Sequence, residues 1–122
     1  FNHREMRRDF TYIDDIVAGV GACLDPPPED DGSTKAGGGT GPHAIYNIGN
    51  HRSEDLMRVV ELLERATGRK ALVDPQPMQP GDVKDTFADI SAIERDHGFA
   101  PTTTIDEGVP RFVHWYREYH GI

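Results

Sequence analysis

Three consecutive prolines, Pro26-Pro27-Pro28, constrain this chain more than any other feature. Proline has no amide hydrogen and its ring clashes with the preceding helical turn, so no helix passes through the triplet. The residues after it add the acidic run Glu29-Asp30-Asp31 and the glycines Gly37, Gly38, Gly39 and Gly41. Residues 25–43 therefore read as a flexible loop with nothing to bury. Upstream there is room for one short strand and one helix, and the rest of the fold must come from residues 44–122.

Apolar spacing supplies the elements. Residues 8–13 contain β-formers and read as a short strand. Asp14 or Asp15 is placed to cap a helix in which Ile16, Val17, Val20, Cys23 and Leu24 recur at helical spacing, ending before Asp25. Ala44 to Ile48 reads as a strand closed by Gly49-Asn50. Ser53 can cap a second helix with Leu56, Val59, Val60 and Leu63 on one face, and Gly68 stands where a left-handed residue ends it. Residues 70–74 suit a short strand, and residues 75–82, with Pro75, Pro77, Pro80 and Gly81, an extended turn-rich segment. Asp89 can cap a short helix ending at Gly98. Thr104 and Glu107 have capping-box spacing ahead of a last helix carrying Val109, Phe112, Trp115, Tyr116 and Tyr119 on one face. Pro110 should kink or delay that helix. The order is that of a mixed α/β chain.

At 122 residues the chain builds about one domain. Its 13 basic and 21 acidic residues leave a net charge of 13 − 21 = −8, which repels nucleic-acid backbones. One cysteine, Cys23, permits no internal disulfide and fits a reducing, cytoplasmic setting. No apolar run reaches membrane-spanning length. The opening Phe1-Asn2-His3-Arg4 is neither a signal peptide nor an initiating methionine, and reads as a start within a longer chain.

Two segments carry candidate chemistry: Met6-Arg7-Arg8-Asp9-Phe10-Thr11-Tyr12-Ile13-Asp14-Asp15 and Met78-Gln79-Pro80-Gly81-Asp82-Val83. Arg8 can present a guanidinium fork to a pyrophosphate while Phe10 offers a flat apolar surface. Pro80-Gly81 shapes a turn that lets backbone approach a ligand, leaving Gln79 and Asp82 to hydrogen-bond phosphate and ribose hydroxyls. With Tyr46-Asn47-Ile48-Gly49-Asn50 and Gly108-Val109-Pro110-Arg111-Phe112-Val113-His114-Trp115-Tyr116, these segments resemble the C-terminal third of extended short-chain dehydrogenase/reductase epimerases, most closely bacterial UDP-glucuronate 4-epimerases.

The resemblance implies a C-terminal fragment of a Rossmann-type fold, supplying the last sheet strand and a small substrate lobe over residues 1–122. It implies that Arg8 contacts the UDP pyrophosphate and Asp82 the ribose, with Gln79 where some relatives carry a second phosphate-binding arginine. It implies NAD in the full-length parent, UDP-sugar as substrate, and a missing N-terminal NAD-binding part as partner. The Gly-x-x-Gly-x-x-Gly turn and the Tyr-x-x-x-Lys pair of such enzymes are absent: no tyrosine here is followed by lysine four residues later. The chain alone is thus expected to hold no NAD and to perform no catalysis. The first helix and the strand at 44–48 should expose apolar surface and favour self-association. A sibling dehydratase or decarboxylase, or a non-catalytic UDP-binding module, are the alternatives.

Plainer readings stand beside these. Arg7, Arg8 and Asp9 can be a solvated cluster. The glycines at 37–41 lack the flanking strand, Gly-Lys-Ser/Thr ending and helix of a phosphate loop. His114 and His120 are six apart, off one helical face, so no metal spacing arises. Cys23 reads as a core thiol, and the stripe from Phe112 to Tyr119 as packing.

Overall fold

The computed structural model describes residues 2–24 and 26–122. Phe1 and Asp25 lie outside them, and with Asp25 the first residue of the expected loop. After a short 3-10 turn at Asn2–Arg4, β1 (Arg7–Asp9) pairs antiparallel with β2 (Ser53–Asp55), Arg8 opposite Glu54. The other edge of β1 is also used. The Arg7 amide donates to the Lys84 carbonyl at 3.0 Å, the Thr86 amide donates to the Arg7 carbonyl at 3.2 Å, and Arg7 bridges Asp85 in parallel. β1 is therefore the middle of a three-segment ribbon, shorter than the strand expected over 8–13.

α1 (Ile13–Ala22) starts two or three residues earlier than a cap at Asp14 or Asp15 would set it. Neither acid caps it. Its N-cap is Tyr12, which makes no side-chain cap bond, and Asp14 and Asp15 fall in the first turn, where negative charge suits the helix dipole. α2 (Leu56–Thr67) is capped by Asp55, not Ser53: the Asp55 carboxylate accepts from the Met57 amide at 2.7 Å, because Ser53 is held in β2. Gly68 takes the expected left-handed conformation after it. α3 (Ser91–His97) has Ile90 rather than the expected Asp89 at its N-cap; the Asp89 carboxylate, one residue earlier, accepts from the Ser91 amide at 3.0 Å, and the helix ends at Gly98.

α4 (Ile105–His120) begins directly after Thr104 and runs through Pro110 without delay. No capping box forms. The Thr104 side chain makes no cap bond, and its carbonyl accepts instead from the Glu107 and Gly108 amides at 3.2 and 2.8 Å. Pro110 removes only the one hydrogen bond its missing amide would make to the Asp106 carbonyl.

Two expected strands do not form. Residues 44–48 alternate as a strand does, Tyr46 and Ile48 packing on the core and Ile45 exposed. Yet their backbone contact is the single bond from the Ile45 amide to the Ala36 carbonyl, since no described segment lies alongside to form a ladder. Residues 70–74 are likewise unpaired, with Leu72 fully exposed. Residues 26–43 form turns closed by bonds such as Lys35 amide to Gly39 carbonyl at 2.7 Å, with Lys35 ion-paired to Asp31.

The core is small. Ile90, Ile93 and Phe99 are buried together, with Cys23, Tyr46, Ile48 and Ala88 packed around them, which agrees with the core reading of Cys23. α2 packs on α4, burying Leu62, Ile105 and Val113. The aromatic stripe of α4 is not core as expected. Phe112, Trp115, Tyr116 and Tyr119 are exposed and stack on one another along the helix, Trp115 on Tyr119 at 5.4 Å, because the inward face is taken by the slimmer Ile105, Gly108 and Val113.

Candidate nucleotide-binding site

The middle position in β1 sets Arg8. Its half-buried side chain folds across the joint between β1 and residues 84–86. Nη1 donates to the Arg7 carbonyl at 2.7 Å and to the Lys84 carbonyl at 3.0 Å, and Nη2 lies 4.0 Å from the Met6 sulfur. Among the described residues every hydrogen-bond partner of this guanidinium is neutral, and no carboxylate lies within 4.0 Å of it, although Glu54 stands opposite Arg8 across the ribbon. Arg7 differs: it donates to the Ser53 carbonyl and faces the Asp85 carboxylate at 3.9 Å, ties that hold the ribbon together.

Gln79-Pro80-Gly81-Asp82 forms a tight turn in which the Asp82 amide donates to the Gln79 carbonyl at 3.1 Å. Proline supplies the first corner and Gly81, at φ 90°, the second, a geometry that a Cβ would strain. Gln79 and Asp82 are exposed, with no side-chain hydrogen bond among the described residues. The turn runs into the 84–86 segment, so the chain itself carries it towards the carbonyl that Arg8 grips. Phe10 goes elsewhere. It lines an apolar cavity of about 350 Å³ with Tyr12, Val59, Leu63, Ile105 and Phe112, and none of the other three candidates borders that cavity.

Two residues that spacing left in plainer roles organise this region. Asp9, placed with a surface cluster, accepts from the Asn50 amide at 2.8 Å through Oδ1 and from the Ala88 amide at 2.9 Å through Oδ2. Asp15, read as a cap, is buried. It accepts from the Thr102 and Thr103 amides at 3.2 and 3.0 Å and from the Thr102 hydroxyl at 3.2 Å. Burial alone raises the Asp15 carboxyl, but the hydrogen bonds from Thr103 and Thr102 outweigh it and leave the group below its ordinary value. No periodicity marks either acid, because their partners are backbone amides forty or more residues away.

Tyr46 is not set up as a base. Burial pushes the Tyr46 phenol up, and its hydrogen bond to Asp96, 3.0 Å long, adds in the same direction. Among the described residues no cluster of three His, Cys, Asp or Glu side chains can hold a metal. Nor do these residues fit NAD. β1 leads into α1 through Phe10-Thr11-Tyr12 and β2 runs straight into α2, so no glycine-rich turn opens a helix onto a pyrophosphate.

Comparison with known proteins extends the geometry. The chain is 41% identical to Protein CapI of Staphylococcus aureus, over 98% of its own length and 37% of that protein. It is 38% identical to a probable UDP-glucuronate 4-epimerase of Rhizobium meliloti, over 95% of its length and 36% of that protein. Its fold superposes on UDP-glucuronic acid 4-epimerase from Bacillus cereus, solved with UDP-glucuronic acid and NAD, at a TM-score of 0.76 and 25% identity, covering 98% of this chain and 34% of that one. MoeE5 shares the fold at a TM-score of 0.80 and 23% identity, over 98% of this chain and 36% of that one. The chain thus spans little more than a third of the relatives it matches, and its α/β architecture is that of the C-terminal region of Rossmann-type epimerases. The family model described as GDP-mannose 4,6 dehydratase matches residues 2–112, nearly the whole length, and the chain belongs to that family.

Proposed function

We propose that this chain is the nucleotide-sugar-binding part of an NAD-dependent 4-epimerase that interconverts UDP-glucuronate and UDP-galacturonate. The supporting observation is the Arg8 guanidinium, half-buried with only neutral partners, beside the segment that the Gln79–Asp82 turn enters. A fixed fork with only neutral hydrogen-bond partners suits a diphosphate. Gln79 and Asp82 complete the nucleotide anchor, Asp82 towards the ribose, while Phe10 lines the separate apolar cavity and lies apart from it. The relatives named above supply the sugar.

A 4-epimerase must let the sugar turn while the nucleotide stays still. Binding energy on the non-reacting part of the substrate serves that need. NAD supplies hydride chemistry where it binds, and in this proposal it binds, with the catalytic tyrosine, to a preceding dinucleotide-binding part. The exposed apolar residues Ile13, Val17, Val20, Leu24 and Ile45 offer the face on which that part packs. Left uncovered, the same face drives self-association. Among the described residues no helix is long and apolar enough to cross a membrane, and the proposal places the protein in the cytoplasm.

Calorimetric titration of UDP into the intact protein tests the anchor. Arg8→Ala removes charge-assisted hydrogen bonds worth about 1.5–3 kcal/mol, so affinity should fall about tenfold to a hundredfold. Unchanged affinity would sink the assignment. The family description favours one second reading, a nucleotide-sugar dehydratase. Product analysis separates the two, since an epimerase returns an isomer and a dehydratase a product lighter by one water.

A further inference from the structure

We infer that Asp9 is a positioning residue for the Arg8 phosphate contact. The inference rests on the anchor role proposed for Arg8. The two residues are neighbours in β1, so their side chains leave opposite faces of the ribbon. Arg8 closes over one face onto Lys84. On the other, the Asp9 carboxylate ties two backbone segments, taking the Asn50 amide at 2.8 Å and the Ala88 amide at 2.9 Å. The Asp9 amide adds a bond to the Thr86 hydroxyl at 3.1 Å. These bonds fix the end of β1 against residues 86–88, and residues 84–86 are the same segment whose carbonyl Arg8 grips.

The joint is built tightly around the carboxylate. Gly49 is buried there, and a Cβ at that position would fall 2.3 Å from the Ala88 Cβ and 3.1 Å from Asp9 Oδ2. No other residue lets the Ile48–Asn50 backbone come this close. A carboxylate meets two amide donors with two acceptor oxygens; an asparagine would turn its own NH₂ against one of them. β1 would then be free to shift relative to residues 84–86, and the Arg8 fork would lose its aim without losing its charge.

The test separates aiming from mere bracing. UDP and uridine are titrated into the intact protein carrying Asp9→Asn, Arg8→Ala or both, with thermal unfolding followed in parallel. Asp9→Asn should weaken UDP about fivefold to tenfold, leave uridine unchanged, and add nothing on the Arg8→Ala background. Equal weakening of UDP and uridine, an additive effect in the double variant, or no effect on UDP would each overturn the inference. If Asp9→Asn does not fold, Thr86→Val loosens the same joint while keeping the carboxylate and should show the same phosphate-selective loss; an unaltered UDP affinity there would be equally decisive against it. An Arg8→Ala variant that binds UDP normally would instead remove the anchor reading on which this one stands.

Discussion

α1 and the α2–α4 pair are amphipathic to similar purpose but solve burial in opposite ways. α2 and α4 turn apolar residues towards each other and bury Leu62, Ile105 and Val113. α1 turns Asp15 and Gly19 inward and leaves Ile13, Val17 and Val20 exposed by 61, 61 and 50%. An apolar stripe on a helix shows that a face needs covering, without naming the cover. Where a partner lies within the chain, as for α2, the stripe becomes core. Where none of the described residues covers it, the same pattern stays exposed, and the inward face combines a carboxylate on backbone amides with close packing of Gly19 on Ile48 and Phe99.

The sharpest way to break this contrast is to truncate on each side of it. Leu62→Ala on α2 should cost about 2–5 kcal/mol, read as a lowered midpoint of thermal or urea unfolding. A loss below about 0.5 kcal/mol would mean that the α2–α4 contact contributes little to stability.

A smaller loss is expected on the inward face of α1. Asp15→Ala leaves the Thr102 and Thr103 amides without their acceptor and should cost about 1–3 kcal/mol. The wild-type bond also makes a pH prediction. Because folding lowers the Asp15 carboxyl, its contribution is fully present above the ordinary aspartate value of about 3.9 and fades as pH falls through the folded value. The stability gap between wild type and Asp15→Ala should therefore close in acid. A gap that persists there would assign the loss to packing.

The smallest effect on stability belongs to the outward face. Val17→Ser with Val20→Ser should change unfolding by no more than about 0.5 kcal/mol, as for other surface sites. Hydrophobic-dye binding and sedimentation should nevertheless move towards a less associated protein. A large loss of stability would show that these residues are covered within the chain after all.

The unequal legibility of the molecule follows the same division. α2, α3 and α4 are readable from spacing and from Gly68 and Gly98 because helical hydrogen bonds are local. Residues 44–48 show a strand's alternation, yet a strand needs a second backbone beside it, and none of the described residues provides one. Of the candidate site, the Pro80-Gly81 turn is legible because turn geometry resides in the residues themselves, and Arg8 is marked as a candidate by its guanidinium chemistry. Asp9 and Asp15 are not legible, since nothing in their neighbours along the chain marks the distant amides they bind.

By itself the sequence determined the helices, the break at Pro26-Pro27-Pro28, the turn at 79–82 and the family, all of which rest on local chemistry and on the order of residues. Tertiary structure alone decided that Asp55 rather than Ser53 caps α2, that Arg7 faces a carboxylate while Arg8 bonds only to neutral partners among the described residues, and that two aspartates hold the segments together. Each of those outcomes is a competition among partners far apart in sequence, and only the folded backbone brings the competitors within hydrogen-bonding distance.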